Sequence, residues 1–328
     1  MENKVADERS QPCDAHVHTT ETQQHVEVNG KLNDTEAGNV YNRETWDHVA
    51  NYWDEVQSEG GNDMFMQLVI PQLKQLACCK ADQTVLELGS GTGIICRVFA
   101  RLGARVVGLD YSERMLKLAE KHDQVENQAR SEDGLHPLPI KYRLVDLMNF
   151  EDMDRRAAQL KEEYQGGFDI ITISMTIKSL PEIEPLAKAL PLFLKPGGRV
   201  IVVDLHPVFS KPAGHREIQI YEDPATGKQV METCIKIKQY LNLPPVMSEA
   251  VRGQNKPVML YHRPISTLFN IFAKAGFVPN CIREPAFSTK GGDPVHAQSY
   301  HNFPQTPMLM AFRLKYIPEQ IDGEDENI

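Results

Sequence analysis

Between residues 84 and 205 short apolar runs alternate with segments of helical spacing. TVLELGSG (84–91) reads as a strand ending in glycines, and ARVVGLD (104–110) as a second ending in an acid. IKYRLVD (140–146), FDIITIS (168–174) and, after the turn KPGG, RVIVVDL (199–205) supply three more. The intervening stretches predict helices over 93–102, over 112–122 behind an N-cap at Ser112, over 151–164, and near 182–194. Strands that are apolar along their whole length are buried on both faces, so this alternation predicts an α/β fold with a mostly parallel sheet between helices.

The flanks extend that pattern. Residues 41–57 place Trp46, Val49, Ala50, Trp53 and Val56 on one helical face, and a second helix is predicted over 62–78, kinked or divided by Pro71. Residues 206–263 break the rhythm. REIQIYED (216–223) and QVMETCIKIKQY (229–240) read as an antiparallel hairpin around PATGK. The insertion leaves the carboxyl end of the fifth strand, where ligands of open parallel sheets bind, so it is expected to arch over the crevice as a lid. A helix over 264–275 opens with Pro264 and stops at Gly276. VPNCIRE (278–284) and PMLMAFRLKY (307–316) then give a sixth and a seventh strand, antiparallel to each other.

Charge changes the picture only at the ends. The chain of 328 residues carries a formal −10, but residues 1–40 hold eight acids and three bases, and residues 317–328 five acids and no base. The remainder is balanced, with 32 charges of each sign. Residues 1–38 lack an apolar period and are expected to be a disordered arm, 39–316 the folded domain, and 317–328 an acidic tail. A balanced core without a basic stripe argues against nucleic acid as a partner. No run of about 18 apolar residues predicts a membrane span. The six cysteines (Cys13, Cys78, Cys79, Cys96, Cys234 and Cys281) match no zinc spacing and no secretory signal precedes them, so a cytoplasmic protein is expected.

The chemistry concentrates at three strand ends. Gly89, Gly91 and Gly93 on a strand-to-helix turn let a ligand approach backbone N–H groups. Ile94 stands where a dinucleotide fingerprint needs a third-spaced glycine, and Glu87 within the strand suits a cation better than a pyrophosphate. Asp110, ending the second strand, can accept both hydroxyls of a ribose. Asp146, ending the third, can accept from an exocyclic amino group of adenine. Together they point to a nucleoside that carries an amino-acid ammonium.

ELGSGTG, GLDYSERML, VDLMNF, FDIITIS and LKPGGRVIVVD over residues 41–316 resemble the class I S-adenosylmethionine-dependent methyltransferases. The resemblance implies a Rossmann-like sheet of seven strands with a reversed last strand, and S-adenosylmethionine as cofactor. It assigns Glu87, Gly89, Ser90, Gly91 and Gly93 to the methionine portion, Asp110 to the ribose, and Asp146 with Leu147 to the adenine. Tyr111 and Met115 would flank that ring, and Ser174 joins the same set. WDHVANYWDEV is similar to the aromatic lid helix of small-molecule members, with Tyr52 or Trp53 facing the cofactor; we expect Tyr52 there and Trp46 and Trp53 in packing. A phenol or alcohol acceptor needs a base, for which His206 and His262 are the candidates beside backbone-bonding roles at the lid junctions. Ser174 and Met175 stand where catechol-type members keep a metal-binding carboxylate, so no metal is expected. An apolar lid favours a small organic acceptor, such as a secondary metabolite, methylated on oxygen or nitrogen. A non-catalytic cofactor-binding regulator or partner subunit, and a nicotinamide-dependent dehydrogenase, are the competing readings.

Overall fold

The computed structural model describes residues 35–58, 60–288 and 296–318. Five parallel strands form where the apolar runs predict them: β1 (Thr84–Leu88), β2 (Arg105–Asp110), β3 (Ile140–Leu144), β4 (Phe168–Ser174) and β5 (Leu194–Leu205). Two more, β10 (Phe277–Arg283) and β11 (Leu309–Tyr316), follow an insertion containing β6 (Gly214–Glu222), β7 (Gln229–Ile237), β8 (Val246–Ser248) and β9 (Val258–Leu260). The sheet order is β10-β11-β5-β4-β1-β2-β3, with β11 antiparallel to both β5 and β10. The order reverses between β1 and β4, which opens a crevice at their carboxyl ends.

Among the described residues seven α-helices cover the sheet: α1 (Thr35–Gln57), α2 (Ile70–Ala77), α3 (Ile94–Arg101), α4 (Glu113–Glu132), α5 (Phe150–Glu163), α6 (Glu184–Phe193) and α7 (Ile265–Lys274). The alternating side chains of the strands divide the core in two. Leu86, Leu88, Val200 and Val202 pack with α5, α6 and α7, whereas Val85, Ile201 and Val203 pack with α2 and α3. Pro71 falls in the first turn of α2, into which the π-helical segment Phe65–Val69 runs directly, so the chain stays helical through it. Pro264 caps α7 instead of opening it.

Two sequence expectations are corrected here. Thr35 to Gly38 belong to α1 and not to the arm, because that helix start is held by polar contacts that leave no apolar period. The Thr35 hydroxyl donates to Glu182 (3.0 Å) and the Asn39 amide to Asp146 (2.8 Å). The hairpin expected around PATGK forms as β6–β7, but the insertion also holds a second hairpin, β8–β9, where none was expected. The rest of the expected arm and most of the acidic tail lie outside the described residues, as does Cys13. No helix among the described residues is long and apolar enough to cross a membrane.

The face of α1 turned to the insertion is joined by a fully buried amide. Asn42 Nδ2 donates to the carbonyls of Ser179 (2.7 Å) and Met259 (2.9 Å), and its Oδ1 accepts from Met259 N (2.8 Å). Removing it leaves buried backbone groups of two other segments without partners, which costs about 1–3 kcal/mol per group. Asn42→Ala is therefore expected to lower the unfolding free energy by about 3 kcal/mol in a urea titration. A loss below about 1 kcal/mol would mean that water replaces the amide.

Candidate active site

A cavity of about 850 Å³, its mouth included, lies across the carboxyl ends of the parallel strands. Glu87, Asp110, Asp146 and Ser174 reach it from four successive strands of the sheet or the turns just after them. The loop after β1 is shaped by backbone contacts: Gly89 N and Ser90 N both donate to the Leu109 carbonyl (2.8 and 2.9 Å). Gly91 N donates to Asp110 Oδ2 at 2.8 Å, while Asp110 Oδ1 accepts from Ser112 N at 2.9 Å. Asp146 accepts from Met148 N at 2.9 Å and from Asn39. Each carboxylate oxygen keeps further lone pairs for a ligand.

Burial governs the protonation of these acids. Glu87 is 1 % exposed, and desolvation raises its carboxyl from 4.5 to about 8, opposed by contact with the Thr172 hydroxyl. Asp110 is pushed up to about 6 by the same cause, offset by the N–H groups of Ser112 and Gly91. The Tyr111 hydroxyl is raised well above its ordinary range, by burial first and then by its proximity to Asp110 and Asp146. Loss of a proton from any of these groups is favoured by a cationic ligand.

The aromatic wall comes from α1 and the segment after it. Trp46, Trp53 and Phe65 line the cavity, and the two indoles meet edge to face with centroids 5.2 Å apart. The helix is held by Asp47, which accepts from the Ser112 hydroxyl (2.6 Å) and Arg114 N (3.2 Å), and by Asp54, which pairs with His122 Nε2 (2.6 Å). The turn after β4 adds Met175, Thr176, Ser179 and Leu180 to the lining. Its carbonyls are clasped in series from the end of the insertion and from α1. Arg263 donates to those of Ile177 (3.2 Å), Leu180 (2.7 Å) and Pro181 (2.7 Å), Tyr261 N to that of Lys178 (2.8 Å), and Asn42 to that of Ser179.

Most of the residues singled out from the sequence converge on this cavity: Glu87, Gly89, Ser90, Gly91, Asp110, Tyr111, Met115, Asp146, Leu147 and Ser174 all line it. Four do not. The Tyr52 hydroxyl donates to the Arg252 carbonyl (2.6 Å), so Tyr52 ties α1 to the insertion while Trp46 and Trp53 face inward. Gly93 (φ +79°) is needed for packing, since a Cβ there would lie 2.3 Å from the Tyr142 hydroxyl and 3.1 Å from the Ala119 methyl. His206 is 1 % exposed, with Nδ1 accepting from Val208 N (3.1 Å) and Nε2 therefore donating to Glu284 (2.8 Å), which leaves neither nitrogen for a substrate. His262 donates through Nε2 to the Tyr240 carbonyl (2.6 Å), and its Nδ1 is buried outside the cavity wall. The hairpins also stay off the wall: β6–β7 leans on the 296–302 segment, where the Arg216 guanidinium stacks 3.9 Å from the Tyr300 ring centre.

The sequence reading missed Phe65, Thr176, Ser179 and Leu180 in the wall, and Asn39, Asn42 and Arg263 behind it. Phe65 read as one apolar residue of a helix; position after a strand end was the signal available for Thr176 and Ser179. The residues present fit the cofactor implied by the resemblance. Ser90 Oγ, Ser174 Oγ and the Tyr111 hydroxyl are buried without partners beside the cavity, ready for a polar ligand. A Cβ added at Gly91 would meet nothing within 4 Å.

The two glycines are separable by experiment. Gly93→Ala is expected to cost at least about 2 kcal/mol of stability through backbone strain and overpacking. Gly91→Ala, with a milder φ of +50° and open space before it, is expected to lose ligand affinity with a smaller loss of stability. Equal losses of stability in chemical denaturation would contradict this division. Glu87 has a pH signature. Its folded-state pKa is raised, so its contribution is fully present below pH 4.5 and fades as pH rises through about 8, by about 5 kcal/mol in all. Denaturation of the ligand-free protein should show stability falling between pH 5 and 8, and Glu87→Gln should flatten that slope; an unchanged slope would contradict the assignment.

A methyltransferase domain family model matches residues 63–279. An uncharacterised protein of Haemophilus influenzae is 26 % identical over 72 % of this chain and 84 % of its own length. A ubiquinone biosynthesis O-methyltransferase of Acinetobacter baumannii is 27 % identical over 46 % of this chain, and the match spans 56 % of that enzyme. Among solved structures, a putative S-adenosylmethionine-dependent methyltransferase from Listeria monocytogenes superimposes with a TM-score of 0.52 at 22 % identity, covering 76 % of this chain and 98 % of that one. With the family model spanning well over half of the chain, and the seven-stranded sheet carrying its reversed last strand, the chain belongs to the class I S-adenosylmethionine-dependent methyltransferases.

Proposed function

We propose that this chain transfers a methyl group from S-adenosylmethionine to an oxygen or nitrogen of a small organic molecule, of the kind found in secondary metabolism. The observation that carries the reading is the convergence of Glu87, Asp110 and Asp146 on one cavity that Trp46, Trp53 and Phe65 also line. Glu87 would hold the ammonium of the methionine end, Asp110 the ribose hydroxyls, and Asp146 with Leu147 the adenine edge, between Tyr111 and Met115. The cofactor supplies an activated methyl group on a sulfonium. The protein's part is to orient the acceptor in line with it and to keep water out. The strand ends and the carbonyl-clasped turn give the lining its rigid part, and Trp46, Trp53 and Phe65 complete it. An enclosed wall of this kind suits a small acceptor better than a macromolecule. The free thiols Cys78, Cys79, Cys96, Cys234 and Cys281 support a reducing, cytoplasmic setting.

Calorimetry with S-adenosylhomocysteine and with NAD, followed by transfer of label from methyl-labelled cofactor into extracts of the source cells, tests the reading. One mole of S-adenosylhomocysteine per chain and a labelled small product are expected. Asp110→Asn should weaken S-adenosylhomocysteine about 10- to 100-fold, the worth of one or two hydrogen bonds to a charged group. Binding of NAD alone would overturn the assignment, and tight binding without any labelled product would favour a cofactor-sensing protein.

A further inference from the structure

A second pocket, of about 340 Å³ with its mouth included, shares no lining residue with the cofactor cavity. The turn after β4 stands between them: Thr176, Ser179 and Leu180 line the cavity, Ile177 and Lys178 the pocket. Most of the pocket is apolar, with Val202, Leu268, Met310 and Phe312 drawn from the core layer that includes α7. Where β4 and β5 end, it also takes in two buried charges, Lys178 at 7 % exposure and Asp204 at 8 %. Opposite charges taken out of water gain most by closing on each other. These two act on each other through space, yet no ion pair or hydrogen bond joins their side chains. The Lys178 ammonium has three donors and gives one to the Lys211 carbonyl (2.8 Å). Asp204 has about four acceptor sites and is met by the N–H groups of Leu205 (2.7 Å), Lys178 (3.4 Å) and Ile177. Burial is the leading influence on both, lowering the ammonium to about 8 and raising the carboxyl.

The other polar groups of the lining are engaged. Arg263 spends its donors on the carbonyls of Ile177, Leu180 and Pro181, and the Tyr261 hydroxyl lies against α1, where a Cβ on Gly38 would collide with it. A ligand must therefore answer Lys178 and Asp204 together. A plain carboxylate would set an anion against Asp204, a plain amine would set a cation against Lys178, and a purely apolar molecule would seal both charges from water without partners. A molecule with an anion and a cation on neighbouring atoms and an apolar body meets all three demands. We propose that this pocket is a binding site for a small apolar α-amino acid in its zwitterionic form, its carboxylate on Lys178, its ammonium on Asp204 and its side chain among Val202, Leu268, Met310 and Phe312. Arg263, which lines the pocket as a second positive charge, favours the ligand's carboxylate further. The volume lies at the small end of ligand sites, which limits the side chain to a few carbon atoms.

Calorimetry on the full chain tests this, with excess S-adenosylhomocysteine present so that the cofactor cavity is closed to an amino acid. Three probes are titrated separately: leucine; 4-methylpentanoate, which lacks its ammonium; and 3-methylbutylamine, which lacks its carboxylate. Leucine is expected to bind once per chain and at least tenfold more tightly than either analogue. Lys178→Met and, independently, Asp204→Asn should each weaken leucine at least tenfold, while affinity for S-adenosylhomocysteine stays within about twofold of the unmodified protein and shows that the variants fold. No leucine binding, equal affinities for the three probes in the unmodified protein, or leucine binding untouched by both substitutions would overturn the proposal. Leucine that binds only when S-adenosylhomocysteine is left out would be occupying the cofactor cavity, and that result would overturn it as well.

Discussion

Asp110 joins three parts of the site that the chain makes separately. One carboxylate oxygen takes the N–H of Gly91 and so draws in the loop after β1; the other takes the N–H of Ser112 and so sets the start of α4. The Ser112 hydroxyl caps α4 by accepting from Met115 N, and it donates in turn to Asp47 of α1. The glycine loop, the adenine-flanking residues of α4 and the aromatic helix are thus positioned through one buried acid. Burial alone would push that acid towards neutrality, and the two backbone donors restrain the shift to about 6. A cationic ligand in the cavity strengthens the charged form, which in turn strengthens both loop contacts.

The insertion influences the site without entering it. Its return segment supplies Tyr261 N and Arg263, which together with Asn42 take the carbonyls from Ile177 to Pro181. Within the 3₁₀ turn Ile177–Ser179 the Leu180 N–H also takes the Ile177 carbonyl (3.3 Å), and the carbonyls after it are taken by those donors. A guanidinium with several fixed donors suits the task better than an ammonium would. The same elements hold α1 from the other side, through Tyr41 to the Pro257 carbonyl and Tyr52 to that of Arg252. The aromatic helix and the turn after β4 are therefore both braced on the insertion.

The sheet and the acids at its strand ends were readable from the sequence because they follow local rules. Continuous apolar runs mark buried parallel strands, and the chemistry of such a sheet lies where they end. FDIITIS matches β4 residue for residue, and Glu87, Asp110 and Asp146 all reach the cavity. What depends on contacts between segments distant in the chain was hidden. Helical spacing puts Tyr52 and Trp53 side by side on α1, and only the Arg252 carbonyl decides which of them turns outward. The position of His206 at the end of β5 suggested a base, but its ring nitrogens are engaged by the following loop and by Glu284, 78 residues away. Gly93 read as part of the ligand loop, whereas the Tyr142 hydroxyl on β3 is what requires it.

The most direct test of this account is a crystal structure of the protein with S-adenosylhomocysteine. The account predicts the ligand across the ends of β1, β2 and β3, with its amino group at Glu87, its ribose hydroxyls on Asp110 and its adenine beside Asp146. It also predicts Trp46 and Trp53 lining the space next to the sulfur, with Tyr52 still bonded to the insertion. A ligand bound elsewhere on the chain, or an indole wall displaced from the sulfur with a histidine in its place, would contradict it.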